Sequence, residues 1–281
     1  MVYYNFTPKK KGFFERISFT TRLIILNVLL FIVFYSLISA GILSFEDVAL
    51  TPLVVLSGSS LWTFISSMFM HSGITHLLFN MISLFFIGTL LERIIGRKRY
   101  FWFYMISGIF AGLIFVLLSG FFGGSSLGAK LFGDPGVLGV GASGAIFGLV
   151  GVLSVLIPNK KISLIAGPLI AIIFSSFLSN AFPGSALVGF LEIIFTIYIF
   201  ASIFAIFSFN PRMYKISLPL EMPFWLIPLI AIIPLVVIGL FVDLPIGNSA
   251  HFGGLLVGLI YGFYLKKKYP QKVRKISSWF S

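Results

Sequence analysis

Cysteine is absent from the chain, which excludes disulfides, thiolate nucleophiles and cysteine-ligated metal and leaves the redox compartment open. Charge is almost as scarce. Only 10% of the 281 residues are charged, Asp and Glu together number 8, and histidine occurs 3 times, at His71, His76 and His251. Beside 58% hydrophobic residues and a mean hydropathy of +1.08, this excludes a soluble domain around one core. Most of the chain must be solvated by lipid. A cleavable signal is not expected either, because the first apolar run follows about twenty mixed residues and is too long for an h-region. That run is expected to act as its own insertion signal.

Apolar runs of spanning length lie near 21–43, 75–92, 100–122, 143–157, 163–179, 186–208, 222–242 and 248–265. Basic residues cluster at Lys9 to Arg22, Arg93 to Arg99, Lys160 and Lys161, Arg212 and Lys215, and Lys266 to Lys275. In an eight-span reading all of the 20 basic residues except Lys130 fall on one side. The positive-inside rule makes that side cytoplasmic, with both termini. Six spans satisfy the same parity if 163–179 and 186–208 do not fully cross, since Pro168 interrupts one and Glu192 burdens the other. The net charge of +12 is then mostly topology and attraction to anionic head groups, not a nucleic-acid surface. Residues 1–20 read as a cytoplasmic segment, 21–266 as a transmembrane domain and 267–281 as a basic cytoplasmic tail.

Strongly polar groups at membrane depth are expensive and default to a functional reading. Ser143 lies seventeen residues before Lys160, His76 seventeen before Arg93 and His251 fifteen before Lys266. At ~1.5 Å per residue all three stand roughly 22–26 Å above the inner interface. Against a hydrocarbon thickness of ~30 Å, such a cluster requires a water-filled depression open to the outside.

The residue types suit acyl transfer. Ser143 opens a helix whose free N–H groups can stabilise a developing oxyanion. His251, at matching depth, could accept the serine proton and return it to a leaving amine. His76 and Asn80 are spaced i, i+4 and present two donors from one helix face. No acidic residue accompanies His251 closely, so a dyad without an orienting carboxylate is expected. Gly144 and Gly148 on one helix, and Ala250, Gly254 and Gly258 on the other, give the small-residue spacing that lets two helices approach closely in lipid.

Three blocks carry a family resemblance: Phe69-Met70-His71-Ser72-Gly73-Ile74-Thr75-His76-Leu77-Leu78-Phe79-Asn80, Gly141-Ala142-Ser143-Gly144, and Ala250-His251-Phe252-Gly253-Gly254. In type, order and helix placement they resemble the rhomboid intramembrane serine proteases. The resemblance implies an all-α polytopic membrane protein with a rhomboid-like six-helix core. Residues about 162–210 would add two transmembrane helices between the serine helix and the penultimate core helix, making eight spans. It also implies peptide-bond hydrolysis with Ser143 as nucleophile, His251 as base, and His76, Asn80 and the Ser143 backbone N–H as oxyanion hole. Gly141, Gly144, Phe147, Gly254 and His71 are supporting residues. Phe147 stands where many members have a phenol packed on the base. Substrates would be single-span or other membrane proteins in the lipid bilayer, with no metal or organic cofactor and no nucleic acid. The segment about 44–74 would lie partly in the outer leaflet, and about 243–248 would cap the site. Trp62-Thr63 replaces a Trp-Arg pair common in the family, so an arginine brace in the first outer loop is missing.

Blander readings stand beside these. A serine in a transmembrane helix usually bonds its own backbone. His71 is expected to be a structural hydrogen-bonding residue, Glu192 to pair within the extra spans or relay protons, and Glu92 to cap or brace the inner side. The glycines of 123–141 lack the Gly-Lys-Ser/Thr ending of a phosphate loop. A catalytically silent client-binding relative is the rival function. A transporter would need an inverted repeat or a charged ring, and neither is seen.

Overall fold

A computed structural model describes residues 17–208, 210–240 and 247–279. Four helices among them are long and apolar enough to cross a bilayer. These are α1 (Phe19–Ser39), α2 (Ile74–Ile95), α3 (Arg97–Phe122) and most of the helix Ala186–Phe207. The central helix α4, Ser143–Leu156, is shorter and almost wholly buried. After it comes strand β1, Lys161–Ile165, then α5 (Ala166–Ala181) and α6 (Ala186–Phe207). Strand β2, Pro219–Pro223, leads through a short turn into α7 (Ile227–Gly239). Helix α8 (Asn248–Lys268) and the amphipathic α9 (Pro270–Ser278) complete the described chain.

Local chemistry explains the joints. The first N–H groups of a helix have no internal partner, and at α1 a carboxylate from another helix takes them. Glu92, buried at the end of α2, accepts from the Phe19 N–H at 2.9 Å, the Thr20 N–H at 2.9 Å and the Thr20 hydroxyl at 2.8 Å. It also pairs with Arg97 at 3.5 Å, so one side chain ties α1, α2 and α3 together. Gly96, at φ 85°, makes the sharp turn between α2 and α3. Within α2 a π-helical turn spans Leu84–Gly88, and a Cβ on Gly88 would lie 2.5 Å from the Tyr100 hydroxyl of α3.

The core sits around α4, where Leu149, Leu153 and Leu156 pack with Tyr100 and Tyr104 of α3. Facing α8, close packing depends on missing side chains. A Cβ on Gly254 would fall 1.9 Å from the Gly144 carbonyl oxygen, and one on Gly258 2.2 Å from that of Gly148. The backbones of α4 and α8 are therefore in direct contact along the stripe expected from the small-residue spacing.

The outer connection between α1 and α2 has two short helices, Pro52–Leu56 and Thr63–Ser66. Without the arginine brace it is held by other bonds. The Trp62 indole donates to the Asp47 carbonyl at 2.9 Å, and the buried Thr63 hydroxyl to that of Ser60 at 2.6 Å. Leu50 and Gly139 exchange two backbone bonds, 2.9 and 2.8 Å, joining this connection to the segment that precedes α4. Lys130 donates to the Leu240 carbonyl at 3.1 Å and ties the short helix Ser126–Phe132 to the end of α7.

Several expectations need correction. The fold is mostly helical rather than all-α, because β1 and β2 pair antiparallel from Lys161↔Pro223 to Ile165↔Pro219 and close the base of the α5–α6 hairpin. Pro168 does not interrupt α5: it falls in the first turn, where no helical N–H partner is lost. Three apolar runs yield short helices, namely Ser143–Leu156, Ala166–Ala181 and Phe224–Gly239. The α4 run ends before Pro158, that of α5 before Pro183, and α7 contains Pro234. Glu192 on α6 accepts a hydrogen bond from Ser179 on α5, so the hairpin carries its own polar clasp. The proposed cap falls largely on residues 241–246, which lie outside the described residues, as does most of the segment 1–20.

Candidate active site

At the start of α4 the chain makes a turn that only glycine accommodates. Gly141 has φ 119°, and a Cβ there would stand 2.8 Å from Cε1 and 2.9 Å from Nε2 of His76. Its N–H donates to the Ser67 carbonyl at 2.8 Å. Ala142 accepts the first helical bond, from Ile146 at 3.1 Å, leaving the N–H groups of Ser143, Gly144 and Ala145 at the open end of the helix.

Ser143 Oγ and His251 Nε2 lie 2.8 Å apart, although 108 residues separate them in sequence. The Gly144–Gly254 approach makes this distance attainable. Phe147, one turn along α4, stacks flat on the His251 imidazole with ring centroids 4.2 Å apart and planes 10° apart. The ring is thus held from its face. His251 Nδ1 is buried and has no hydrogen-bond partner among the described residues.

On α2, the Asn80 amide donates to the His76 carbonyl at 2.9 Å, and its second N–H has no acceptor among the described residues. His76 Nδ1 receives the Ser72 N–H in a long bond of 3.4 Å and lies 3.1 Å from the Ser72 hydroxyl. A backbone N–H can only donate, so Nδ1 is the acceptor and Nε2 carries the proton of the neutral ring. That Nε2–H is on the side facing Gly141.

His71 is fully buried, its ring meets that of His76 edge-on at 5.1 Å, and it lies beside the Phe69 backbone. Ser72 was not singled out by sequence, although it lies within the block that carries the resemblance. Its bond to His76 is four residues long and could have been suspected from the i, i+4 spacing. Ser67, which holds Gly141, has no sequence signal at all.

The site is thus a serine and a histidine in contact at one end of two closely packed helices of a multi-helix bundle. The family description "Rhomboid domain" matches residues 58–178 and 162–268, and the chain belongs to the rhomboid family of multi-pass membrane proteins. Its relatives include RHOMBOID-like protein 1 of Arabidopsis thaliana, 41% identical over 115 residues, which are 41% of this chain and 26% of that protein. Putative rhomboid protease YdcA of Bacillus subtilis (strain 168) is 32% identical over 119 residues, covering 42% of this chain and 53% of the relative. Rhomboid protease AarA of Providencia stuartii is 33% identical over 158 residues, 51% of this chain and 53% of the relative. These matches span between 26% and 53% of the relatives' own lengths.

Proposed function

We propose that this chain is a serine endopeptidase that hydrolyses peptide bonds in or near transmembrane segments of other membrane proteins. The observation that carries the reading is the 2.8 Å contact between Ser143 Oγ and His251 Nε2 at the glycine-framed start of a helix. The neutral His251 accepts the Ser143 proton as Oγ attacks the scissile carbonyl carbon. The oxyanion is met by the Ser143 N–H, the His76 Nε2–H and the second N–H of Asn80. His251 then gives its proton to the leaving amine, and water hydrolyses the Ser143 ester by the same exchange in reverse. The flat stacking of Phe147 holds the imidazole in line, the task that a carboxylate performs in a triad.

The charge distribution supports an even number of spans, six or eight, with both termini cytoplasmic, so that the Ser143 end faces the extracytoplasmic side. Retention of Ser143, His251, His76 and Asn80 together argues against a silent client-binding relative. The reading is tested with a fluorophosphonate probe on protein purified in mild detergent. Labelling of Ser143, abolished in Ser143→Ala and strongly slowed in His251→Ala, is the expected result. Absence of labelling in a folded wild-type protein would favour client binding.

A further inference from the structure

The end of the bundle remote from Ser143 has a groove that the proposed reaction does not use. About 550 Å³ in volume, it runs between the first turns of α3 and the last turns of α8. Its floor is aromatic: Phe103 and Tyr261 stack at 4.8 Å and 14°, and Tyr261 and Tyr264 at 6.0 Å and 20°. Trp102, Ile106 and Ile260 form its walls and are each more than half exposed. From Lys98 to Ile106 the helix rises roughly 12 Å, enough for a stretch of hydrocarbon chain to lie in the trough.

Three cations gather at the mouth. Lys98 and Arg99 line it, and Lys268 donates to the Tyr264 hydroxyl at 2.6 Å. Arg99 lies over the Tyr269 ring at 5.4 Å and donates to its hydroxyl at 3.5 Å. Among the described residues no carboxylate is within ion-pair distance of these three, whereas neighbouring Arg97 is paired with Glu92. Neutral tyrosines orient the cations without cancelling their charge. Such a cluster retains its attraction for an anion.

We propose that this groove binds an anionic glycerophospholipid, with its phosphate between Lys98, Arg99 and Lys268 and one acyl chain along the aromatic floor. A generic interfacial belt of basic and aromatic residues would attract anionic lipid through its net charge alone. The groove adds a defined trough and a cation set with no carboxylate in ion-pair distance among the described residues, which makes the site local. Helix α9, at the same end, supplies a comparison, since Lys272 and Lys275 lie outside the groove and carry the same charge. The inference is independent of the catalytic reading.

The test is native mass spectrometry of the full chain released from micelles doped with phosphatidylglycerol, phosphatidylcholine or inorganic phosphate. Wild type should retain one phosphatidylglycerol in preference to phosphatidylcholine, and inorganic phosphate should neither bind nor compete. Lys98→Gln/Arg99→Gln should weaken retention by roughly tenfold, while Lys272→Gln/Lys275→Gln should leave it within about twofold. Trp102→Ala should weaken a long-chain lipid more than a short-chain one, which a purely electrostatic contact would not do. Unchanged thermal unfolding in lipid-free detergent shows that each variant is folded. Equal loss in both double variants, competition by inorganic phosphate, or no preference over phosphatidylcholine would overturn the proposal.

Discussion

His251 owes its position to three neighbours of different kinds: Ser143 at its Nε2, Phe147 on its face, and glycines that let its helix come close. Removing each has a distinct consequence. With Ser143 and His251 as the proposed nucleophile and base, Ser143→Ala and His251→Ala should each reduce turnover by roughly 10³-fold or more, since such a pair acts as a unit. Asn80→Ala would remove one of the proposed oxyanion donors and should cost roughly 10²-fold in kcat with little change in KM. Gly141→Ala places a methyl against the His76 ring at a φ of 119°, so it should slow fluorophosphonate labelling even though no reacting group is lost. The meeting of Ser143 with His251, and of His76 with Asn80 beside Gly141, was legible in sequence because these residue types and spacings are chemically restrictive. The packing of the His71 ring was not, since its ring neighbours come from tertiary contact with His76 and Phe31.

Helix pairs carry the next level of the account. Along α4 and α8 the contact is backbone against backbone, so Gly254→Val must push the helices apart. It should destabilise the fold by roughly 3 kcal/mol and abolish activity, measured by thermal unfolding and by labelling. Glu92→Ala leaves the N–H groups of Phe19 and the buried Thr20 without their acceptor, at a cost of roughly 2 kcal/mol, and should act on stability far more than on labelling rate. Apolar length and small-residue spacing revealed the helices and the α4–α8 seam. The sheet was hidden for a physical reason: Lys161–Ile165 continues an apolar run into α5, and its partner lies more than fifty residues away, past the hairpin. The Glu92 cap was legible only in outline, because its donors belong to α1. Since β1 and β2 already bring the ends of the hairpin together, replacing 166–218 by a two-residue turn should preserve folding and Ser143 labelling. Collapse of that variant would mean that the inserted hairpin, whose Ile199 and Ile203 pack near Leu78 and Phe79 of α2, is required by the core.

Across the whole molecule the parts separate by end. One carries Ser143, His251, His76 and Asn80 around the open start of α4. The other carries most of the described basic residues, the aromatic groove and the Glu92 joint. Charge asymmetry in the sequence anticipated this polarity, while the lengths of individual spans depended on prolines and turns whose effects appear only in the folded chain. The central claim is that the Ser143–His251 contact is a working dyad inside a membrane protein. Its most direct test is incubation of the purified protein in liposomes with single-span substrates, alongside Ser143→Ala and His251→Ala, with the cleavage products identified by mass. The account predicts cuts within or beside the substrate's apolar segment by the wild type and none by either variant. Identical products from all three proteins, or no cleavage of any substrate by a wild type that also resists fluorophosphonate labelling, would contradict it.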